Sequence, residues 1–321
     1  MPRLRPLAPV ALLTAAALAL GGCTADDATV GADGIRIVAS TNVYGDIAAT
    51  IAGDGASVTS IIHDAAQDPH EYEADGRDAL AISRADIVIV NGGGYDDFMT
   101  ALLDAHASDA VTVIDVAQLS GLDPEAELHD HGDEGDEHDD EGVAHDHGAF
   151  NEHVWYHFGT MATVGYELAE SLAGRDPARA SAFADRATTF SNGIDALQAR
   201  AGELAARSGG AQVAITEPVP LYLLEAAGLV NATPEAFSEA VEEGTDAPAL
   251  VVQQMVALVS DGSVALLAYN EQTVGPQTEV VLTAAQEAGT PVVSFSELLP
   301  AGAHYLDWMA ANLDAVDEAL A

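Results

Sequence analysis

The feature that most constrains this chain is an alternation that runs, stops and runs again. Short β-branched runs at Ile35 to Ala39, Val58 to Ile62, Asp86 to Val90 and Val111 to Ile114 are separated by helix-like stretches near 43–52, 76–84 and 95–106. Beyond residue 210 the alternation resumes, with strands expected at 211–215, 229–231, 264–268 and 292–294 and helices at about 219–227, 248–260, 276–288 and 304–319. Strands this short, each followed by a helix, predict βαβ crossovers and therefore parallel sheets covered by helices. Between the two halves lies a different period. Pro177 suits a first helical turn, and Phe183, Ala187, Phe190, Ile194, Leu197, Ala201 and Leu204 then recur at spacings of four and three until Ser208-Gly209-Gly210 stops the run. About 30 residues at 1.5 Å each span on the order of 45 Å. One apolar stripe of that length serves either a coiled-coil dimer or a helix lying across both halves. The short flanks favour the second. The expected fold is α/β, with two pseudo-symmetric lobes, each a parallel sheet covered by helices, joined by one long rigid helix.

The stretch 121–149 fits neither lobe. From Gly121 to Phe150 it holds five of the eleven histidines (His129, His131, His138, His145 and His147) and twelve carboxylates, with almost no bulky apolar side chains. So little apolar surface cannot offset the entropy of ordering, so the segment is expected to be a flexible arm. Imidazole and carboxylate are ligands for transition metals, and the arm reads as a weak auxiliary metal collector; the plain alternative is an acidic solubilising loop.

The N-terminus gives an address. Arg3 and Arg5 precede an apolar run from Leu7 to Leu20, and Leu20-Gly21-Gly22-Cys23 follows, the order expected of a secretory signal. The run is short for a membrane-spanning helix. Cys23 is the only cysteine, so no intrachain disulfide can form, and its placement resembles a bacterial lipobox, which implies cleavage before it and lipidation of its thiol. The expected organisation is a lipoprotein signal peptide at 1–22, a lipidated tether at 23–34, an N-terminal lobe at 35–120, the arm at 121–149, a motif and helix at 150–175, the long helix at 176–208 and a C-terminal lobe at 211–321. The protein is then extracytoplasmic and anchored to the bilayer. A net charge of −42, with no lysine, argues against nucleic acid as a partner.

Candidate tight ligands lie outside the arm. His70, in Asp68-Pro69-His70-Glu71-Tyr72-Glu73, follows the second strand; Glu217, in Thr216-Glu217-Pro218, follows the first strand of the other half. Open α/β sheets place ligands at such strand ends. His153 comes from Asn151-Glu152-His153-Val154-Trp155, directly after the arm. Equivalent placement of His70 and Glu217 in two halves points to a cleft site between the lobes.

These fragments, in this order with the lipobox, the His-rich insertion, the long helix and Thr216 to Leu229, resemble the cluster A-I metal-binding solute-binding proteins, the zinc and manganese receptors of bacterial ABC importers. The resemblance covers essentially the whole chain beyond the signal. It implies metal ligation by His70, His153 and Glu217, support from Tyr222, and as partners a permease with its ATPase subunit. Manganese-type members carry an aspartate in a loop after a later strand. The matching stretch here reads Tyr269-Asn270-Glu271-Gln272-Thr273-Val274-Gly275-Pro276, closer to the acidic-x-Gln element of zinc-type members. His157 stands where many relatives have aspartate and is expected either to support the ligands from behind or to be structural. Two imidazoles and a carboxylate suit Zn²⁺ and tolerate Mn²⁺, and the expected cargo is Zn²⁺. Imidazoles must be neutral to bind it, so affinity is expected to fall from about pH 7 to 5.

An enzyme is the rival class, since two histidines and a glutamate with an open position suit water activation. The sequence lacks its signatures. The sole His-Glu pair, His70-Glu71, has Ala74 where an HExxH motif needs its second histidine, and Asn91-Gly92-Gly93-Gly94 lacks the lysine of a phosphate loop. A surface adhesin or metal buffer is the third class.

Overall fold

The computed structural model of the protein describes residues 34–64, 67, 69–70, 72–122 and 150–321. The signal peptide, Cys23, most of the tether, the five arm histidines, Asp68 and Glu71 lie outside the described residues.

Two four-stranded parallel sheets carry the architecture. In the first, β1 (Ile35–Thr41), β2 (Ala56–Ile62), β3 (Ile87–Val90) and β4 (Thr112–Asp115) take the order β2-β1-β3-β4. In the second, β5 (Gln212–Ile215), β6 (Val230–Asn231), β7 (Leu267–Asn270) and β8 (Val292–Phe295) repeat it as β6-β5-β7-β8. All pairs are parallel. A parallel sheet must be covered on both faces, which is why the central strand β3, Ile-Val-Ile-Val, is buried at every position.

Helices cover the first sheet as α1 (Asn42–Ala52), α2 (Gly76–Ile82), α3 (Asp97–His106), the short α4 (Val116–Ser120) and α5 (Phe158–Arg175). The second is covered by α7 (Leu221–Ala226), α8 (Glu235–Glu242), α9 (Ala249–Ser260), α10 (Pro276–Ala288) and α11 (Tyr305–Ala319). Local sequence sets their ends. Asp75 caps α2 by accepting from the backbone N–H groups of Arg77 and Asp78, and Asp78 returns the bond to the Asp75 N–H, completing a capping box. Of these helices the short α4 and α8 had no counterpart in the expected pattern. The third strand of the second sheet runs 267–270 instead of 264–268, paired with β8 along its whole length, from Leu267 opposite Val292 to Asn270 opposite Phe295, and with β5 at Leu267 and Ala268.

The long helix α6 (Ala180–Ser208) follows a 3-10 turn at Pro177–Arg179 and ends on Gly209 in the left-handed conformation. All seven stripe residues from Phe183 to Leu204 are buried in the chain's own core, which leaves no seam for a coiled-coil partner. That core is continuous through both sheets, from Ile37 and Ile89 past Phe190 and Ile194 to Ile215 and Leu313. Removing one such aromatic anchor costs about 3–5 kcal/mol. Polar ties reinforce the span. Arg186 donates to the terminal carbonyls of α1 at Ile51 and Ala52, whereas Arg207 pairs with Asp317 on α11 at 2.8 Å. Directly between the lobes, Asn42 exchanges two hydrogen bonds with the Leu299 backbone, at 2.8 and 3.0 Å. The lobes are therefore parts of one packed body. Among the described residues no helix is long and apolar enough to cross a membrane.

Candidate metal centre

Donor residues gather where the chain leaves strand C-termini. His70 lies between β2 and α2, and His153 opens the 3-10 turn Val154–Tyr156 that leads into α5. Backbone and side chain of His153 are both fixed by Asn151: Oδ1 accepts from the His153 N–H at 3.1 Å and lies 2.8 Å from Nδ1. The Asn151 amide nitrogen donates to the Pro218 carbonyl, which settles Oδ1 as the acceptor. His153 Nδ1 therefore carries the proton, and Nε2 holds the lone pair available to a cation. Asn91, at the end of β3, donates to the Glu152 carbonyl at 3.0 Å and pins the same turn from the first sheet.

Three side chains, His70, Glu152 and His153, bring donor atoms within 4.8 Å of one another, the sole such metal-ligating group among the described residues. His70 Nε2 and Glu152 Oε1 are 3.4 Å apart. Tyr95 lies edge-on to both imidazoles and stacks near Trp155. It is delivered by the loop Gly92-Gly93-Gly94, all three at positive φ; a Cβ on Gly92 would run into the Asp115 carboxylate, so only glycine fits there.

The second lobe contributes carboxylates. Glu217, two residues past β5, accepts from the Thr273 hydroxyl at 2.7 Å and from the Asn270 amide. The same amide donates to Glu297 Oε1 at 2.9 Å, and the Tyr95 hydroxyl donates to Glu297 Oε2 at 3.1 Å. Glu242, the last residue of α8, lies 3.9 Å from His153 Nδ1.

So many buried acids cannot all ionise without a counter-charge. Burial, reinforced by Glu242 and Glu297, pushes Glu152 up to about 9. Burial, with Glu297 next, pushes Glu242 up to about 7. His153 moves the other way, held well below the usual imidazole range by burial and then by His70. Protons therefore compete with a cation mainly at the carboxylates. His153 is held in its neutral, ligating form because its surroundings do not solvate an imidazolium.

His70 and His153, singled out from sequence, share the cluster. Glu217 belongs to the other lobe, where it is held by Asn270 and Thr273, and is not one of the three donors within 4.8 Å. Tyr222 supports Asn151, donating to its carbonyl at 2.7 Å. His157 caps α5 through Thr160, as a structural residue would. Here the stretch reads Asn270-Glu271-Gln272, with the acid directly before the glutamine: Glu271 is exposed, whereas Gln272 Oε1 accepts from the N–H groups of Glu297 and Leu298 and shapes the turn that carries Glu297. Sequence reasoning missed Glu152, Glu242 and Glu297. Glu152 was visible inside the Asn151-to-Trp155 motif, and Glu297 obeys the strand-end rule that selected Glu217.

Two parallel sheets of matching order on one helix, with imidazoles and carboxylates converging at their strand ends, define a two-lobed binding protein whose cleft suits a cation. The chain belongs to the ZnuA family, described as the periplasmic component A of a zinc-uptake complex, which matches residues 37–319. It is 35% identical over 121 residues to the manganese-binding lipoprotein MntA of Halalkalibacterium halodurans, covering 35% of this chain and 40% of that protein. It is 24% identical over 299 residues to the zinc-binding lipoprotein AdcA of Streptococcus pneumoniae, covering 89% of this chain and 56% of that protein. The chain thus spans about half the length of these relatives. The periplasmic zinc-binding protein TroA of Treponema pallidum shares the fold, with a TM-score of 0.69 and 19% identity over 90% of this chain and 99% of its own. The family and these neighbours are binding receptors and not enzymes.

Proposed function

We propose that this protein is the extracytoplasmic receptor of an ABC importer, capturing a divalent transition-metal ion between its lobes and delivering it to a permease driven by an ATPase subunit. The observation that carries the reading is the convergence of His70 and His153 with Glu152 and, from the other lobe, Glu242, a donor set whose carboxylates can neutralise a dication. His70, His153 and Glu217, with a water, form a four-donor set suited to Zn²⁺, and zinc is the proposed cargo. Family membership and a zinc-binding relative support it. Cys23 would anchor the protein to the membrane by lipidation, and His129, His131, His138, His145 and His147 would collect zinc loosely when it is scarce. Manganese is the second reading, favoured by the abundance of buried carboxylate oxygens and by the manganese-binding relative. Titration calorimetry of chelator-free protein with Zn²⁺ and Mn²⁺, each in competition with the other, tests the proposal. One tight stoichiometric site without hydrolytic turnover supports the receptor, and loose multi-site binding alone would overturn it.

A further inference from the structure

We infer that Glu152 is a specificity-determining residue of the cleft, adding a carboxylate ligand that widens a four-donor zinc set into an oxygen-richer one able to hold a six-coordinate cation such as Mn²⁺. The inference rests on the metal-capture reading and extends it to a residue that the resemblance does not assign, since its motif position lies between Asn151 and His153.

Three observations carry it. Glu152 is placed by its backbone from both sides: Asn91 of the first lobe holds its carbonyl, and Asn151, anchored to Pro218 of the second, holds the turn. Its side chain is 10% exposed, and among the described residues no arginine pairs with it. Burial without a cationic partner disfavours the charged form of a carboxylate, and a bound cation favours it, so this side chain is suited to meeting a cation. The third is spacing. Ligand bonds of about 2.1 Å at a tetrahedral angle put donor atoms roughly 3.4 Å apart, and His70 Nε2 and Glu152 Oε1 are 3.4 Å apart in the protein. With His153 completing the group within 4.8 Å, these donors are already gathered at ligand-to-ligand spacing.

The consequence for selectivity follows from donor chemistry. Zn²⁺ is satisfied by two imidazoles, one carboxylate and a water, so a further carboxylate adds less to its binding. Mn²⁺ is bound weakly by nitrogen and prefers more oxygen donors, so it depends more on the additional carboxylate.

The experiment measures Zn²⁺ and Mn²⁺ affinities of the full chain and of Glu152→Gln, which keeps shape and removes charge. The ratio of zinc to manganese affinity should rise by roughly tenfold or more, with both affinities reduced. Glu152→Asp, which keeps the charge, should restore part of the manganese affinity, and it carries the test should the glutamine variant not fold. A Co²⁺-loaded wild type should show weak d–d absorption that strengthens in Glu152→Gln as coordination number falls, a change that a purely structural role would not produce. An unchanged affinity ratio together with an unchanged cobalt spectrum overturns the inference. Wild-type protein that binds neither Zn²⁺ nor Mn²⁺ tightly would instead remove the receptor reading beneath it.

Discussion

The two lobes share a sheet order but not a donor chemistry. The first presents both imidazoles, His70 and His153, with Glu152 between them; the second presents Glu217, Glu242 and Glu297 and no imidazole in the cleft. Its one histidine, His304, is exposed and hydrogen-bonded to Asp46 on α1. A repeated architecture therefore supplies the positions, strand C-termini on each side, and the side chains placed there divide the work. In the proposed receptor the nitrogen donors would favour transition metals over Ca²⁺ and Mg²⁺, whereas the carboxylates would supply charge. Neither half is a complete site, so ion capture is read as the joining of two half-sites on a rigid helix.

The sharpest way to break this division is to remove a nitrogen donor. His153→Ala deletes a fully buried imidazole that Asn151 holds in its neutral, Nδ1-protonated form. Zinc affinity should fall about 10³-fold, near 4 kcal/mol, with the far-ultraviolet circular dichroism unchanged. Wild-type affinity in that variant would remove His153 from the site. Glu217→Gln is the matching cut in the other lobe. Its oxygen is shared with Asn270 and Thr273, so part of the loss is buffered by those neighbours, and a smaller decrease of roughly 10- to 100-fold is expected by calorimetry. Equal losses in the two variants would erase the asymmetry between lobes.

Much of this was legible in the sequence because it is local. The β-branched runs and the Phe183-to-Leu204 stripe report their burial through period alone, and the motifs around His70 and Glu217 marked strand ends. What stayed hidden is tertiary. Glu242 stands in a run with Glu239 and Glu243 that reads as a solvated helix end, and only the packing of Phe237 and Val241 turns it toward His153. Glu297 is one acid among 52 acidic residues, and its role appears when Tyr95, about 200 residues earlier, is found donating to it. Pairing with β8 likewise sets the observed span of β7, which an alanine- and leucine-rich run such as 264–268 cannot announce by itself.

The carboxylate surplus sharpens the comparison through pH. Glu152 and Glu242 have folded-state values near 9 and 7 against 4.5 unfolded, so the folded protein keeps protons that the unfolded chain has released. Their contribution to stability is present in full below about pH 4.5 and is lost as pH rises through the folded values. His153, depressed by burial, acts oppositely: its contribution is present above its unfolded value of 6.5 and is lost as pH falls. Between pH 7 and 9 Glu152 is the main one of the three still in play. Metal-free protein should therefore lose melting temperature across that interval, by at most about 1.4 kcal/mol of stability per pH unit. Glu152→Gln should flatten the trend, and bound Zn²⁺ should reverse it by displacing the protons. A wild-type melting temperature that is level from pH 7 to 9 would show that Glu152 is already ionised in the empty cleft.

The mildest test loosens the tie between the lobes and leaves the donors alone. Asp46 on α1 accepts from the Tyr305 N–H at 2.8 Å, capping α11 from across the cleft, and its other oxygen is 2.8 Å from His304 Nδ1. That hydrogen bond, with the charge of Asp46, raises the His304 pKa above 6.5. A raised folded value means that the pair's stabilising effect is full below about pH 6.5 and is lost as pH climbs through the folded value. Asp46→Asn keeps an oxygen acceptor for the helix cap but removes the charge that favours the imidazolium. The variant should melt close to wild type at pH 8.5 and slightly below it at pH 5.5, with a small gap because His304 is solvent-exposed and such pairs are screened. Zinc affinity at pH 7.5 should be unaltered. A gap of equal size at both pH values would assign Asp46 wholly to capping α11, and the ionic tie between the lobes would then contribute nothing.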